Sequence, residues 1–564
     1  MVRSKGWLAA LGVVLVLAGG GLAHLIQTAG GVTVEDVRVP LGDGQRLSAL
    51  LYRPASATAE RPAPGVLAVH GYINSRETQS PFAIELARRG FVVLAIDQTG
   101  HGFSHGAAFS AGFGGPAALR YLRGLGFVDA DNIGLTGHSM GGWTALAAAA
   151  DQPDGYRSVA LVGSSTGAPF APEGSPTFPR NLGVIFSRYD EFGALMWGVE
   201  EAADVTRSAK LQAVFGTGET VEPGRLYGSI EAGDARWLAM PATTHPGDHL
   251  SHEAVADTVS WLQRTLAGSE PRPLDDQIWF YKELGTLIAL IGGVCLLLGT
   301  FDVALRRFAP PQVPAPAGAA SPDGRWWLGL LVTAAVPALT FYPLTGLGGA
   351  WAASSLFPQA VTNQIVAWAL GNGALALLAG ALLRAPGNPA GGPAGGQSFA
   401  GVAAAALASV AALYLAVWLS GWLFHTDMRF WVVALKPLAT HHVPALLAYL
   451  IPLTAFFWIS QQLWHRRMSP DASPGAQYAA AIVGSVGGLT VMLAVVYGYL
   501  FAAGHLPGVD PLFSIVAIQF VPVLAFAAIV SVFTWRRTGG TAAGAIVSGL
   551  VVTWYVVAGQ ATHV

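Results

Sequence analysis

A serine between two glycines is the side chain in this 564-residue sequence best placed for nucleophilic chemistry. Ser139 lies in the segment Gly-His-Ser-Met-Gly at positions 137–141, which follows the apolar run 133–136 and precedes a stretch of small residues. Gly137 and Gly141 allow a strand and a helix to approach at a tight turn without Cβ clashes. Such a turn lifts the hydroxyl above the sheet, so the spacing predicts that Ser139 is a nucleophile.

The composition limits the setting in which such a serine would act. Mean hydropathy is +0.48 and 11% of the residues are charged, so part of the chain is expected to lie in lipid. The net charge of −2, without a cluster of Lys and Arg, argues against nucleic acid as a partner. The single cysteine, Cys295, excludes both a disulfide framework and a thiolate metal site.

The first apolar segment follows two basic residues. Arg3 and Lys5 precede residues 7–27, which carry no Asp, Glu, Lys or Arg and are long enough to cross a bilayer. A cleaved signal peptide and a retained anchor both fit this pattern. We favour a retained anchor over residues 1–31, because the apolar stretch is longer than the core of a usual signal peptide.

Residues 32–268 have the composition of a water-soluble α/β domain, in which short apolar runs alternate with helical patterns. Two antiparallel strands are predicted at 32–39 and 46–52. Continuous Val, Ile and Leu runs separated by helices predict a mostly parallel sheet that is covered on both faces. The predicted parallel strands are 66–69, 91–96, 133–136, 158–162, 182–186 and 236–240, and the predicted helices are 81–89, 116–125, 142–150 and 251–266.

Residues 269–564 predict an all-α membrane bundle. Eight further apolar segments have lengths that match a bilayer, and the charged residues lie mostly between them. Together with the amino-terminal segment they make nine predicted spans. The eight segments are 278–301, 326–347, 357–383, 399–423, 443–464, 476–503, 512–535 and 541–559.

Basic residues predict the orientation of the spans, because Lys and Arg are retained on the cytoplasmic side. Outer turns beyond the α/β domain hold only Arg429 and Lys436, so this domain is expected outside the cytoplasm, at a bacterial plasma membrane. The inner linkers 309–321 and 385–397 are rich in Pro, Gly and Ala and suggest no chemistry. Basic residues of the inner turns are Arg306, Arg307, Arg325, Arg384, Arg466, Arg467, Arg536 and Arg537.

Three stretches of the α/β domain resemble the α/β-hydrolase family. They are Val-Leu-Ala-Val-His-Gly-Tyr at 66–72, Asp-Gln-Thr-Gly-His-Gly-Phe-Ser at 97–104 and Gly-His-Ser-Met-Gly-Gly at 137–142. The resemblance covers roughly residues 32–266 and none of the later membrane segments. It implies a doubly wound, mostly parallel sheet that supports nucleophilic acyl transfer.

Individual roles follow from this resemblance. Ser139 matches the nucleophile, and the backbone amides of Met140 and Tyr72 match the two donors of an oxyanion hole. His70 and His101 are expected to brace loops through hydrogen bonds rather than to act in catalysis.

The resemblance also implies a histidine base after the last strand, because the family order is Ser, acid, His. The segment 243–252 offers His245, His249 and His252. We favour His245, which follows the apolar run directly and lies sixteen residues before Trp261. His249 is the second choice, although His249 and His252 also fit polar positions at the start of a helix.

Two positions fit the acid of the triad. Asp190 follows the apolar run 182–186, and Glu219 follows the run 211–215. We favour Asp190, because Glu219 leads into residues 227–236, which are typical of a β-hairpin rather than of the helix expected after an acid loop. The sequence thus departs from the family pattern by an insertion of about thirty residues between acid and histidine, which would form a partial cover over the site.

These inferences predict a membrane-bound serine hydrolase of esterase, lipase or thioesterase type, acting on a small-molecule or lipid acyl substrate. No metal or cofactor is required, and His441 and His442 are expected to form an interfacial pair rather than a ligand site. An acyltransferase is a variant of this hypothesis, since an alcohol can intercept an acyl-enzyme.

The alternative is a protein that binds or transports lipid through its membrane bundle, with a regulatory hydrolase-like domain. Ionisable residues are scarce within the predicted spans, which favours a scaffold or a lipid-facing platform over an ion-coupled transporter. The small residues at 484–488 suit close contact between membrane helices.

Overall fold

The computed structural model describes residues 6–310, 324–382, 397–429, 432–466, 468 and 472–564. Most of the predicted linkers 309–321 and 385–397 lies outside the described residues, as do Arg3, Lys5, Arg384 and Arg467.

A nine-stranded sheet organises the first half of the described chain, in the order β1-β2-β4-β3-β5-β6-β7-β9-β8. Strands β3 to β7 and β9 are parallel, and β1, β2 and β8 pair antiparallel. This arrangement confirms the predicted fold class. The strands are β1 (Thr33–Gly42), β2 (Gln45–Arg53), β3 (Ala63–Val69), β4 (Val92–Ile96), β5 (Val128–His138), β6 (Ser158–Val162), β7 (Leu182–Ile185), β8 (Leu226–Tyr227) and β9 (Arg236–Ala239).

Helices cover both faces of the sheet, as its buried strands require. Alternate residues of β3 point to opposite faces. Leu67 and Val69 pack on the side of α3 and α4, whereas Val66 and Ala68 pack on the side of α2 and α7. We call the unit from β1 to α7 the α/β domain. Its helices are α2 (Ser80–Ala87), α3 (Gly115–Arg123), α4 (Met140–Asp151), α5 (Gly193–Trp197), α6 (Ala209–Phe215) and α7 (His252–Thr265).

The remaining helices form a bundle of apolar segments. In the described part of the chain, eight helices are long and apolar enough to cross a membrane, and the bent pair α9–α10 makes a ninth candidate. The bend of 44° follows Pro337 and breaks the single predicted span 326–347 into two helices. The bundle comprises α1 (Trp7–Gln27), α8 (Trp279–Phe308), α9 (Gly324–Leu339), α10 (Phe341–Gly348), α11 (Ala360–Leu382), α12 (Phe399–Phe424), α13 (His442–His465), α14 (Pro474–Ala503), α15 (Pro511–Thr538) and α16 (Ala542–Gly559).

Glycines bring two pairs of these helices into backbone contact. A Cβ at Gly19 of α1 would lie 2.5 Å from the Ala289 nitrogen of α8, and a Cβ at Gly292 would lie 2.6 Å from the Val16 nitrogen. A Cβ at Gly488 of α14 would clash with the backbone of α9. The close helix contact predicted for residues 484–488 is therefore confirmed, and α1 packs as an integral helix of the bundle.

Buried ion pairs join the α/β domain to the bundle. The segment between α12 and α13 carries two short strands, β10 (Met428–Arg429) and β11 (Ala434–Leu435). Its Lys436 ammonium lies 2.8 Å from Glu77, and its Arg429 guanidinium donates to the Glu77 carbonyl at 2.6 Å. Asp427 in turn accepts from Lys282 of α8 at 2.9 Å. Arg429 and Lys436, predicted from the sequence only as cations of an outer turn, thus bind the α/β domain through Glu77.

Candidate active site

Ser139 lies on a strained turn between β5 and α4. Its φ of 55° and ψ of −124° are unusual for a residue with a side chain, and its amide donates to the Val162 carbonyl at 2.8 Å. A Cβ at Gly137 would clash with Gly141, and a Cβ at Gly141 would clash with the Val69 carbonyl. Only glycine fits these two positions, which confirms the physical reason given for the motif.

The favoured base and acid are hydrogen-bonded to each other. His245 follows β9 and Asp190 follows β7, and the parallel strands bring them to the same edge of the sheet. His245 Nδ1 lies 2.8 Å from Asp190 Oδ2, and the amide of Phe192 donates to Asp190 Oδ1 at 2.8 Å. Ser139 and His245 line the same cavity. The structure therefore pairs Asp190 with His245 and places Ser139 in the same cavity as His245, while their catalytic roles remain predictions.

The alternative acid lies elsewhere. Glu219 is exposed in the turn after α6. Residues 211–215, which resembled a strand before an acid, are helical, because the Ser208 side chain caps the amino terminus of α6 and Gly216 ends it at φ 65°. The hairpin predicted over 227–236 is confirmed by the pairing of Tyr227 with Arg236.

The two residues predicted for the oxyanion hole, Met140 and Tyr72, line the same cavity as Ser139. Met140 is the first residue of α4, where backbone N–H groups have no partner within the helix. Tyr72 follows β3, and both residues line the cavity with Ser139. Their role in oxyanion binding remains a prediction.

His70 and His101 brace loops, as expected. The amide of Gln98 donates to His70 Nε2 at 3.1 Å, and His101 Nδ1 lies 2.9 Å from the Thr99 carbonyl. Burial lowers the pKa of His70 to about 4 and that of His101 to about 3, so both rings are neutral at physiological pH.

Two further side chains, His138 and Asp248, lie beside the base and were not predicted from the sequence. His138 Nε2 lies 2.8 Å from the His245 carbonyl and 3.6 Å from Asp248 Oδ2. Asp248 accepts a hydrogen bond from Ser187 at 2.5 Å. His249, the second choice of base, is buried with its ring 4.2 Å from that of His138, and it lines the same cavity as Ser139 and His245. The sequence offered only their proximity as a signal, since His138 precedes Ser139 and Asp248 lies three residues after His245.

Burial sets the protonation of the base. It lowers the pKa of His245 to about 4, with partial opposition from the Asp248 charge, so the imidazole is neutral at pH 7 and free to accept a proton. Burial and the neighbouring Asp248 raise the pKa of Asp190, against the hydrogen bond from the Phe192 amide.

Glu191 connects the base to the bundle. One carboxyl oxygen accepts from the His245 amide at 2.7 Å, and the other bonds with the Tyr497 hydroxyl of α14 at 2.9 Å. Burial, followed by the Asp190 charge, raises the pKa of Glu191 to about 8. The sequence gave no signal for this contact, because Tyr497 lies 306 positions away.

The cavity in front of Ser139 has a volume of about 240 Å³ and lies between the α/β domain and the bundle. From the predicted covering insertion, Phe192, Leu195 and Met196 reach it, but the hairpin does not. The rest of the cover comes from the bundle, so residues between the acid and the histidine form only part of it, in line with the partial cover expected. The bundle residues that line the cavity are Val432, Leu512, Ile515 and Gln519.

The carboxyl-terminal tail (residues 560–564) also contacts the site. Its His563 Nε2 lies 2.9 Å from the Tyr72 hydroxyl, and Thr562 exchanges backbone hydrogen bonds with Gly100 and Ala108. Tyr72 is therefore fixed by a segment that follows the last bundle helix.

Within the described residues, no group of three His, Cys, Asp or Glu side chains could hold a metal ion. The rings of His441 and His442 lie 4.3 Å apart, and that of His105 lies 6.1 Å from His441. This places the predicted interfacial pair against the α/β domain.

Comparison with known proteins gives a match for part of the α/β domain. Residues 64–220 match the family model described as the alpha/beta hydrolase fold. No curated protein matches the chain significantly.

Solved structures cover only part of the chain. A hypothetical protein from Pseudomonas aeruginosa is 26% identical, with a TM-score of 0.22, over 24% of this chain and 43% of its own length. The chain thus spans less than half of that structure. Dienelactone hydrolase from Anabaena variabilis is 19% identical over 42% of this chain and 99% of its own, with a TM-score of 0.28. A thioesterase domain from the curacin biosynthetic pathway is 16% identical over 41% and 99%, with a TM-score of 0.27.

Proposed function

We propose that the protein is a membrane-bound serine hydrolase whose nucleophile is Ser139. The match of residues 64–220 to the alpha/beta hydrolase fold supports a hydrolase-type function. One observation carries the proposal. The strained serine shares a cavity with His245, whose Nδ1 is hydrogen-bonded to the buried Asp190 at 2.8 Å. A neutral imidazole held by a carboxylate beside a serine on such a turn is the arrangement that activates a hydroxyl.

The reaction follows from these groups. His245 takes the proton of the Ser139 hydroxyl as its oxygen bonds to the substrate carbonyl carbon, and Asp190 stabilises the imidazolium. Amides of Met140 and Tyr72 stabilise the oxyanion, by roughly 3 kcal/mol per donor. His245 then gives the proton to the leaving oxygen as the ester C–O bond breaks. Water repeats the sequence on the acyl-enzyme and releases the carboxylic acid and free Ser139.

Ester turnover tests this proposal. We expect purified protein to hydrolyse a panel of acyl esters and the Ser139→Ala variant to lose turnover to background, with correct folding checked by thermal unfolding. Unchanged turnover in that variant would contradict the assignment. Adding alcohols and analysing the products separates hydrolysis from acyl transfer.

We also propose that the α/β domain faces the outside of the plasma membrane. The tail after α16 is hydrogen-bonded to this domain, so an even number of crossings must separate them. Seven single helices follow the domain, and the bent pair supplies the eighth crossing. Arg306 and Arg307 lie in the last turn of α8, and Arg536 and Arg537 lie in the last turn of α15, at the ends of these helices away from the α/β domain. Because basic residues are retained in the cytoplasm, this placement and the even number of crossings support an outer position of the α/β domain.

Cysteine labelling tests that position. In a Cys295→Ser background, Gly218→Cys and Gly475→Cys are a matched pair, since both glycines are exposed with open space around them. An impermeant maleimide is expected to label the first variant on intact cells and the second only after lysis. The reverse pattern would place the α/β domain in the cytoplasm.

A second cavity favours the alternative function of lipid binding or transport. It has a volume of about 150 Å³, lies among α9, α11, α13, α14 and α15, and is lined mostly by apolar side chains. Vesicles containing Ser139→Ala protein distinguish the two functions, because lipid transfer that survives loss of ester turnover would favour the alternative.

A further inference from the structure

One face of a bundle helix forms the membrane side of the active-site cavity. Leu512, Ile515 and Gln519 lie in the first turns of α15 at spacings of three and four residues, which place them on the same helix face. That face lines the cavity that also contains Ser139. A substrate bound there contacts the outer end of the bundle and the catalytic groups at once.

Gln519 has a hydrogen-bonding group without a partner. The side chain is 2% exposed, and its Oε1 accepts from the Tyr555 hydroxyl at 3.4 Å. Within the described part of the chain, its Nε2 meets no acceptor. By contrast, Nε2 of Gln359, also buried, donates to the Val557 carbonyl at 2.9 Å. Buried N–H groups are rarely left unpaired, so Gln519 Nε2 is suited to an oxygen of a bound molecule.

The rest of the cavity indicates what that molecule is. Phe109, Phe170 and Trp143 line it on the α/β side, and none of the described side chains that line it is Lys, Arg, Asp or Glu. An anionic headgroup would need basic partners in such a setting, because burying an unpaired charge is costly. Lys436, the nearby cation, is already paired with Glu77. The lining therefore favours an uncharged molecule with an apolar chain.

We propose that the substrate is an uncharged acyl ester of the outer membrane leaflet, of the acylglycerol class, and that Gln519 is a substrate-binding residue. Its Nε2 donates to an oxygen of the glycerol part while Ser139 attacks the ester carbonyl. This inference rests on the proposed serine hydrolase function.

The test compares two buried glutamines and three esters in detergent-purified full-length protein. Gln519→Leu removes the amide, and Gln27→Leu is the matched control, a buried glutamine of α1 that lines neither cavity. We expect Gln519→Leu to lower kcat/KM for monooleoylglycerol about tenfold, the effect of one hydrogen bond at roughly 1.4 kcal/mol. Turnover of 4-nitrophenyl butyrate, which lacks the glycerol part, should change less than about twofold, and Gln27→Leu should leave turnover of both esters unchanged.

Substrate charge and folding have their own controls. Phosphatidylglycerol should be hydrolysed much more slowly than monooleoylglycerol. Gln519→Glu keeps the side-chain shape but replaces the donor with a carboxylate, and it should also lose monooleoylglycerol turnover selectively. If Gln519→Leu unfolds at a lower temperature than the unmodified protein, the turnover of Gln519→Glu decides whether Gln519 binds the substrate.

The outcomes separate this inference from the function beneath it. If the unmodified protein turns over no ester, the proposed function fails. If it turns over 4-nitrophenyl butyrate but Gln519→Leu and Gln519→Glu hydrolyse monooleoylglycerol normally, only the role of Gln519 is overturned. Faster hydrolysis of phosphatidylglycerol than of monooleoylglycerol overturns the uncharged substrate class.

Discussion

Lys436 offers a direct test of how the α/β domain is held on the bundle. Its ammonium lies 2.8 and 3.0 Å from the two carboxylate oxygens of Glu77, 3.5 Å from Asp97 and 4.4 Å from the centre of the Phe103 ring. The side chain is 3% exposed. Lys436→Met keeps most of the apolar stem and removes only the charge.

The expected loss in free energy of unfolding comes from the Glu77 charge, which stays buried in the Lys436→Met variant. Breaking a buried ion pair from one side usually costs about 3–5 kcal/mol, because the partner charge stays buried. Burial alone would raise the pKa of Glu77, but Lys436 and Arg76 hold it well below its ordinary value. Arg76 remains 3.2 Å from Glu77 in the variant, so we expect the lower end, about 3 kcal/mol.

Thermal unfolding of the purified full chain, followed by tryptophan fluorescence, measures the effect. A loss of about 3 kcal/mol corresponds to a Tm lower by roughly 6–12 °C for a domain of this size. Replacing both partners, as Lys436→Met with Glu77→Gln, should recover part of the loss, since no unpaired charge remains. Arg120→Met is the control, because its pair with Asp151 is exposed and contributes about 0–1 kcal/mol. A single-variant Tm within 1 °C of the unmodified protein, or a double variant less stable than the single one, would refute this reasoning.

Three further predictions concern the site. Asp190→Asn should lower kcat by about 10³- to 10⁴-fold, because it neutralises the acid that orients the base. Glu219→Gln is the control and should leave kcat unchanged. Equal effects of the two substitutions would rule out Asp190 as the acid. Because the pKa of Glu191 is raised to about 8, its stabilising contribution is complete below pH 4.5 and is lost as the pH rises through 8. We expect activity to fall above pH 8, where ionised Glu191 repels Asp190 beside the base. Glu191→Gln should shift that fall to higher pH. A pH–rate profile of Glu191→Gln identical to that of the unmodified protein would contradict this role of Glu191. Ending the chain at Ala561 removes the contacts of Thr562 and His563, each worth about 1 kcal/mol, and should lower both Tm and ester turnover, measured together on the same preparation.

The sequence was informative for those parts of the site that depend on neighbouring residues in the chain. Ser139 was a candidate because glycines on either side are needed at its turn, and Asp190 because it lies in the segment that follows a buried strand. The strands themselves were predictable, since continuous apolar runs are needed to fill a sheet that is buried on both faces.

Contacts between distant segments could not be predicted in the same way. Glu191 meets Tyr497, and Lys436 meets Glu77, across more than 300 positions of sequence. Nothing in the local sequence of α15 distinguishes Gln519 from a glutamine that ties helices together. The bundle was therefore expected to be a scaffold, whereas four of its residues line the active-site cavity.

Mapping a covalent adduct identifies the nucleophile of the protein. Full-length protein is treated with a fluorophosphonate, digested and analysed by mass spectrometry. We expect one adduct, on the peptide containing Ser139. It should form far more slowly in His245→Ala and at a normal rate in Glu219→Gln. An adduct on another residue, or the same labelling rate without His245, would contradict this expectation.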